Sequence, residues 1–208
     1  MNQRGGLRRF RAPAPAPEPA PPEVERCELC GTLVDPGHGH VVDLEHRSIM
    51  CACRACYLLF TRPEAGRYRA VPDRYLHDPA RQLTTAEWEG LGIPVGAVFF
   101  LRGADGLAAF YPSPAGATEC LLNLETWTEL AANHPLLGMV EPEVEAILIR
   151  AEQAGVECYL VPIDACYQLV GLVRLHWTGF DGGPEAREAI AGFFAELRSR
   201  VRPLEPEG

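Results

Sequence analysis

The sequence predicts an α+β fold, with a small cysteine-rich module ahead of a larger mixed domain. Three observations support this prediction. Five of the eight cysteines fall between residues 27 and 56, strand and helix patterns alternate from about residue 82 onward, and a proline-rich stretch precedes both regions. With 208 residues and 47% apolar content, the chain is long enough to bury the core of one or two soluble domains.

Breaks in composition divide the chain into four segments. The closely spaced prolines of residues 12–22 cannot bury a core, so residues 1–25 are predicted to form a disordered Arg- and Pro-rich tail. The remaining segments are a four-cysteine module at 26–62, a connection at 63–81 and an α+β domain at 82–205.

The cysteines predict a metal site. Cys27-Glu-Leu-Cys30 and Cys53-Arg-Ala-Cys56 are two Cys-x-x-Cys pairs separated by 22 residues. Each pair can form a tight turn, and two facing turns present four thiolates, as in a zinc ribbon, although this separation is slightly wider than usual. Ordinary buried or disulfide-forming cysteines are the alternative, but the cysteines are clustered in pairs and no secretory segment places the chain where disulfides persist. Four thiolates leave no open coordination position, which favours structural Zn²⁺, with Fe as the alternative.

The exact ligand set stays open at this point. If residues 48–53 form a strand, Cys51 and Cys53 face the same side about 6 to 7 Å apart. Cys51 is then either a small apolar residue packed under the module, which is the favoured interpretation, or an alternate or supporting ligand. Three histidines lie between the two pairs: His38, His40 and His46. Residues 35–40 are predicted to form the turn between the two arms of a hairpin, with the imidazoles facing solvent.

Charge and composition exclude several functions. The chain has no lysine, so it cannot contain a P-loop or a Schiff-base lysine. Its net charge of −9 opposes nucleic-acid binding, which depends on neutralising phosphates. No apolar stretch is long enough to insert into a membrane, so we expect a cytoplasmic protein.

Short patterns predict the first elements beyond the cysteines. Residues 57–60 give the second cysteine pair an apolar flank that can seat the module on the next domain, and residues 66–74 predict a short strand. Thr84 and Glu87 form a capping box that opens a helix ending before Gly92. The elements predicted next are a hairpin of strands at 95–101 and 107–111, a strand at 117–122 and a helix at 124–132.

The second half of the domain is predicted to be largely helical. Pro142 suits a first helical turn, and apolar residues recur at i, i+3, i+4 and i+7 up to Gly155, which predicts a helix. The apolar positions are Val144, Ile147, Leu148 and Ala151. Pro162 interrupts the apolar run 158–163, which therefore predicts an edge strand.

Two helices complete the prediction. Asp164 is predicted to be the N-cap of the first helix, which runs toward Trp177. Its apolar stripe is Cys166, Leu169, Val170 and Val173. The last helix has the clearest period, with an apolar stripe of Ile190, Phe193, Phe194, Leu197 and Val201.

We predict no catalytic residues in this chain. The candidates considered are Asp164, Cys166, Tyr167, His134 and His176. A nucleophilic thiol needs an electropositive, partly exposed setting, whereas Cys120, Cys158 and Cys166 all lie in apolar runs. Asp164 is explained as a cap and His176 as the polar end of a helix.

Several motifs in order resemble an uncharacterised bacterial family, a domain of unknown function, encoded in gene clusters for uptake [NiFe]-hydrogenases. The motifs are Arg26-Cys-Glu-Leu-Cys-Gly31, Cys51-Ala-Cys-Arg-Ala-Cys-Tyr-Leu-Leu-Phe60, Gly66-Arg-Tyr-Arg69, Ala109-Phe-Tyr-Pro-Ser-Pro-Ala-Gly-Ala117, Val161-Pro-Ile-Asp-Ala-Cys-Tyr167 and Leu169-Val-Gly-Leu172. The resemblance covers about residues 26–202 and implies a role in hydrogenase assembly or electron handling.

The resemblance also carries over a ligand set. It implies that Cys27, Cys30, Cys53 and Cys56 bind the metal, with Cys51 belonging to the same motif. The second pair lacks the Cys-Pro-x-Cys-Gly form of rubredoxins, which favours zinc over iron.

The sequence-based hypothesis is a non-catalytic accessory protein. Its zinc-ribbon-like, rubredoxin-like module would present Arg54, Tyr57 and Phe60 to a protein partner, a hydrogenase subunit or maturation factor. The alternative is a one-electron carrier with iron in the four-cysteine site. A weaker alternative is a nucleic-acid or regulatory module.

Overall fold

The protein is a mixed α+β structure in which two β-sheets are combined with helices. A computed structural model describes residues 24–62, 66–121, 123–153 and 155–205. Almost all of the predicted tail at 1–25 lies outside these residues. Among the described helices, none combines the length and the apolar character needed to cross a membrane.

The smaller sheet has, within the described residues, three antiparallel strands in the order β2-β1-β3. They are β1 (Gly39–Asp43), β2 (Ser48–Ala52) and β3 (Tyr68–Ala70), and helix α1 (Arg54–Leu59) follows β2. The hairpin turn between β1 and β2 lies at residues 44–47. The prediction that residues 35–40 join the hairpin arms is therefore wrong, because most of these residues precede β1. β3 lies within the predicted connection 63–81 but belongs to this sheet.

The larger sheet has seven strands in the described part of the chain, in the order β10-β4-β9-β8-β5-β6-β7. Its strands are β4 (Leu76–His77), β5 (Ala97–Gly103), β6 (Gly106–Ser113), β7 (Gly116–Cys120), β8 (Glu145–Glu152), β9 (Gly155–Pro162) and β10 (Arg202–Pro203). All neighbours are antiparallel except the short parallel pair β10 and β4. The predicted hairpin and the strand after it are confirmed as β5, β6 and β7.

Helices cover both faces of the larger sheet. They are α2 (Thr85–Gly90), α3 (Leu124–Asn133), α4 (Pro135–Gly138), α5 (Ile163–His176) and α6 (Gly183–Arg200). α5 and α6 pack on one face and α2 to α4 on the other. The capping box of Thr84 and Glu87 is confirmed, with both reciprocal hydrogen bonds present. The helices predicted at 124–132, toward Trp177 and at the end of the chain are also confirmed.

The helix predicted from Pro142 to Gly155 is wrong, because this segment forms strand β8. Leu148 packs toward α5 and α6, whereas Ile147 and Ile149 pack toward the opposite helices. Every residue from 145 to 150 is buried, since both faces of β8 are covered. A strand buried on both faces is continuously apolar and lacks the polar alternation that distinguishes a strand from a helix.

β9 is also placed differently from its prediction as an edge strand. It pairs along its whole length with β8 and meets β4 on its other side, so it is an inner strand. Pro162 is compatible with this position because it is the last residue of β9.

The prediction that Asp164 caps α5 is wrong. Pro162 is the N-cap of α5, a residue whose side chain has no group that could cap the helix. Asp164 lies in the first turn, where its carboxylate bonds His40 of β1 instead. Val42 and Val71 also join the core cluster that contains α5, so this helix seats the smaller sheet.

Candidate metal centre

The first cysteine pair lies in a tight backbone turn. Cys27 N–H donates to the carbonyl of Thr32 at 2.8 Å, and Gly31 N–H donates to that of Cys27 at 2.8 Å. Gly31 has φ of +75°, a left-handed conformation that favours glycine. This turn places Cys27 inside, 1% exposed, and leaves Cys30 at the surface.

The second pair lies where β2 leads into α1. Cys53 is the N-cap of α1, and its carbonyl accepts a hydrogen bond from Tyr57 N–H at 2.9 Å. The Tyr57 ring packs against Gly39 of β1 so closely that a Cβ on Gly39 would lie 2.5 Å from the ring, and the Tyr57 hydroxyl donates to the carbonyl of Val71. These contacts hold α1 against the smaller sheet.

The two turns bring four thiols together. One sulfur from each of Cys27, Cys30, Cys53 and Cys56 lies within 4.8 Å of the other three. Cys30 Sγ and Cys53 Sγ are 3.7 Å apart, close to the edge of about 3.8 Å expected for a tetrahedron with Zn–S bonds of about 2.3 Å. These four residues, hereafter the cysteine tetrad, fit a tetrahedral ion and could bind one.

Cys27, Cys30 and Cys56 differ in acidity. Hydrogen bonds from the Thr32 hydroxyl and backbone lower the pKa of Cys30 to about 6. Burial tends to raise the pKa of Cys27, but hydrogen bonds from the backbone at Cys53, Leu29 and Cys30 outweigh it, and this pKa is lowered. Desolvation and the neighbouring thiols raise the pKa of Cys56 to about 12. A bound cation would remove this asymmetry, because coordination deprotonates every thiol.

Cys51 belongs to a different group of side chains. Cys51 is the next-to-last residue of β2, and its sulfur lies within 4.8 Å of one ring nitrogen of His38 and one of His40. Glu28 holds the Cys51 backbone in place with two hydrogen bonds. The Glu28 N–H donates to the Cys51 carbonyl at 2.9 Å, and the Glu28 carboxylate accepts from the Cys51 N–H at 2.6 Å. Cys51 therefore lies beside the cysteine tetrad in the sequence but contributes to a second cluster in space.

Two of the three histidines are less exposed to solvent than predicted. The His38 side chain is only 9% exposed, and that of His40 is 28% exposed, so this prediction is wrong for both. His46 does face solvent and bonds Asp43 at 3.0 Å. His40 bonds Asp164 of α5, whereas the contacts of His38 are with Asp35, Glu25 and the His40 ring. A His-x-His pattern next to a strand is the sequence feature that could have indicated a shared face.

The residues considered as catalytic candidates have different surroundings. Cys166 is completely buried, and burial raises its pKa well above that of an ordinary thiol. Burial also raises the pKa of Cys158 to about 12. His134 lies with one ring nitrogen 3.0 Å from the Arg81 carbonyl and the other 2.9 Å from Glu87. Tyr167 and His176 lie on α5, at its partly exposed surface.

Two large clefts differ in how their polar groups are used. One, of about 920 Å³, contains Arg150, Arg198 and His134, which bond Glu152, Glu157 and Glu87 respectively. The other, of about 1020 Å³, lies between the smaller sheet and α5 and is lined by His38, His40 and Asp164 among others. Within the described part of the chain, the only buried side-chain nitrogen and oxygen atoms without a hydrogen-bond partner are His38 Nε2 and Asp164 Oδ1, both from this second cleft.

Comparisons with curated proteins and with solved structures gave no significant match. A protein-family profile does match residues 26–201, which include both cysteine pairs, both sheets almost entirely and the helices α1 to α6. The chain therefore belongs to the family of unknown function DUF5947.

Proposed function

We propose that this protein is a non-catalytic accessory protein that binds a [NiFe]-hydrogenase subunit or maturation factor through a zinc-stabilised, zinc-ribbon-like module. The observation that supports a non-catalytic role for the cysteine tetrad is that it supplies four thiols within 4.8 Å of one another. Four protein ligands fill a zinc ion's coordination shell and leave no position for a substrate. The hydrogenase partner is supported by the sequence resemblance described above.

The module offers exposed apolar side chains close to the cysteine tetrad. Leu58 and Leu59, which follow Cys56 on α1, are 51% and 69% exposed. Of the residues expected to face a partner, Arg54 is exposed, whereas Tyr57 and Phe60 are partly buried, with Phe60 packing on Tyr68. Leu58 and Leu59 thus replace Tyr57 and Phe60 as the apolar candidates for partner contact.

A metal-stabilised module suits this role energetically. Metal binding orders the short turns around the cysteine tetrad, so little conformational entropy is lost when α1 meets another protein. Removing two exposed leucines from water provides apolar burial without disturbing the core.

The experiment is recovery of the tagged full chain from a host that makes hydrogenase, followed by identification of bound hydrogenase subunits and maturation factors. We expect a hydrogenase component with the wild type and at least about a tenfold loss with Leu58→Glu/Leu59→Glu, since central apolar contacts carry most binding energy. Leu175→Glu is the matched control, because Leu175 is 76% exposed on a different helix.

Two results would contradict the proposal. Absence of every hydrogenase component from the wild-type sample would remove the partner. Equal recovery with the leucine double variant would remove α1 as the contact. Metal analysis of the same wild-type sample separates the roles: zinc without visible absorption supports a structural site, whereas iron with charge-transfer bands would indicate the one-electron carrier instead.

A further inference from the structure

A second cluster of potential metal ligands lies beside the cleft between the smaller sheet and α5, and two of its members, His38 and His40, line that cleft. His38, His40 and Cys51 each contribute one ligand atom, and these atoms lie within 4.8 Å of one another. All three residues lie outside the cysteine tetrad. Their side chains are all at least partly buried, and the His38 side chain is 91% removed from solvent, given its exposure of 9%.

The register of the β1–β2 hairpin creates this cluster. His40 is paired directly with Cys51 across the two antiparallel strands, so their side chains project from the same face. His38 lies two residues before His40, and the two rings are 5.0 Å apart between centroids. The hairpin and the loop residue just before it therefore bring two imidazoles and a thiol close together.

The hydrogen bonds orient both imidazoles as ligands. His38 Nδ1 lies 3.0 Å from the Asp35 carbonyl, to which it must donate a proton, so its Nε2 carries a lone pair when the ring is neutral. That Nε2 is buried and has no hydrogen-bond partner among the described residues. A buried, unpartnered nitrogen is costly unless another group binds it.

His40 is oriented by a carboxylate. Its Nδ1 lies 2.7 Å from Asp164 Oδ2 on α5. A carboxylate that accepts from one imidazole nitrogen fixes the tautomer and leaves the other nitrogen for a metal, an arrangement typical of histidine–metal sites. Asp164 Oδ1 is also buried without a partner in the described part of the chain, so it remains available to a group bound in the cleft.

We propose that His38, His40 and Cys51 bind a second transition-metal ion of the zinc class, positioned by Asp164, with its fourth coordination position open to the cleft. Two imidazoles and one thiolate favour zinc and similar first-row ions over Mg²⁺ or Ca²⁺, which prefer oxygen ligands. Three protein ligands with one open position distinguish this site from the closed cysteine tetrad and allow it to bind an exchangeable small ligand. The inference does not depend on a hydrogenase partner.

The test is zinc stoichiometry of the full chain, purified under reducing conditions, loaded with Zn²⁺ and freed of excess metal. We expect about two zinc ions per chain for the wild type and about one for His38→Gln or Cys51→Ser, because each variant removes one ligand of the three-residue site. His176→Gln is the matched control, since His176 is a partly exposed histidine at the end of α5 that belongs to no group of potential ligands among the described residues, and it should keep the wild-type value. Asp164→Asn should weaken binding of the second ion by about tenfold or more.

The decisive quantity is the difference between each variant and the wild type. If His38→Gln and Cys51→Ser bind as much zinc as the wild type, the second site does not exist. X-ray absorption on the zinc-loaded wild type gives an answer without any variant. Two sites of the proposed composition average about 2.5 sulfurs and one imidazole nitrogen per zinc, whereas a four-cysteine site alone gives about four sulfurs and no nitrogen.

Discussion

Arg74 and Glu145 form a two-point ion pair that joins the segment between the two sheets to the first residue of β8. Arg74 Nε donates to Glu145 Oε1 at 2.8 Å, and Arg74 Nη2 donates to Oε2. Glu145 is completely buried, and its Oε2 also accepts from the Glu141 N–H at 2.9 Å. The carboxylate is thus held in the protein interior by one guanidinium and one backbone amide.

Removing only one member of this pair should destabilise the fold strongly. Arg74→Ala leaves the Glu145 carboxylate buried without its counter-ion, which we expect to lower the free energy of unfolding by about 3 kcal/mol or more. Urea denaturation measures this change. Arg187→Ala is the control, because Arg187 and Asp181 are 61% and 73% exposed, and such exposed pairs contribute about 0 to 1 kcal/mol.

Replacement of both members tests the same explanation. Because an apolar pair of similar volume needs no counter-ion, Arg74→Met/Glu145→Leu should recover most of the stability lost in Arg74→Ala. A double variant as unstable as the single one would show that the arginine acts through packing or through its bond to the Met139 carbonyl.

The contact between Glu87 and His134 predicts a dependence of stability on pH. Hydrogen bonds from His134 and then from Thr84 lower the pKa of Glu87 to about 2. A carboxyl group whose pKa is lower in the folded state stabilises the fold above its unfolded pKa of about 4.3 and loses this contribution as pH falls toward the folded value. We therefore expect the stability that the Glu87 carboxylate gives the wild type over Glu87→Gln to be lost as pH falls from about 5 to about 2.

Urea midpoints of both proteins across this pH range provide the measurement. Glu119→Gln controls for general acid effects, because Glu119 on β7 is exposed. An advantage that persists unchanged to pH 2 would contradict the role assigned to the Glu87 carboxylate.

The cysteine tetrad should control the order of the smaller sheet. Cys27→Ser removes the most buried of the four thiols, so we expect loss of the tetrad's metal and faster hydrogen exchange in β1 to β3, since metal binding and local folding are coupled. Amides of β8 and β9, which lie at the centre of the larger sheet, should keep their protection. Cys120→Ser is the control, because this half-buried thiol lies on β7.

Local patterns predicted much of the fold. The capping box at Thr84, the hairpin of β5 and β6 and the stripe at Phe193 and Phe194 are short-range features, and the structure contains all of them. The cysteine spacing likewise predicted that the two Cys-x-x-Cys pairs face each other, and their four thiols do lie together. The residues that determine the first three features lie within a few positions of one another, and those that determine the fourth are all cysteines.

The predictions that were wrong concern residues whose contacts are with residues distant in the sequence. Asp164 resembles an N-cap locally, but its carboxylate bonds His40, 124 residues away. His38 and His40 lie in a polar turn sequence, yet their side chains are only 9% and 28% exposed, and His40 bonds Asp164 of α5. Hairpin register decides that Cys51 faces His40, and this register depends on a turn at 44–47 rather than on the turn predicted at 35–40.

Ile149 offers a direct test of β8 as a strand with two buried faces. In the helix predicted from the sequence, Ile149 lies opposite the apolar stripe of Val144, Ile147 and Leu148, facing solvent. In the strand it is 0% exposed and belongs to the cluster with α2, α3 and α4. Truncation of a buried isoleucine costs the transfer free energy of the lost atoms plus that of the cavity, so Ile149→Ala should lower the free energy of unfolding by about 2 to 5 kcal/mol.

Leu175→Ala is the matched control for this substitution, because Leu175 is a large apolar residue that is 76% exposed on α5. It should change the free energy of unfolding by no more than about 0.5 kcal/mol, as is usual for surface positions. Urea denaturation of both variants and the wild type gives the comparison. Similar small effects for Ile149→Ala and Leu175→Ala would mean that one face of the 145–152 segment is open to solvent, and the layered arrangement of helices on both sides of the sheet would then be wrong.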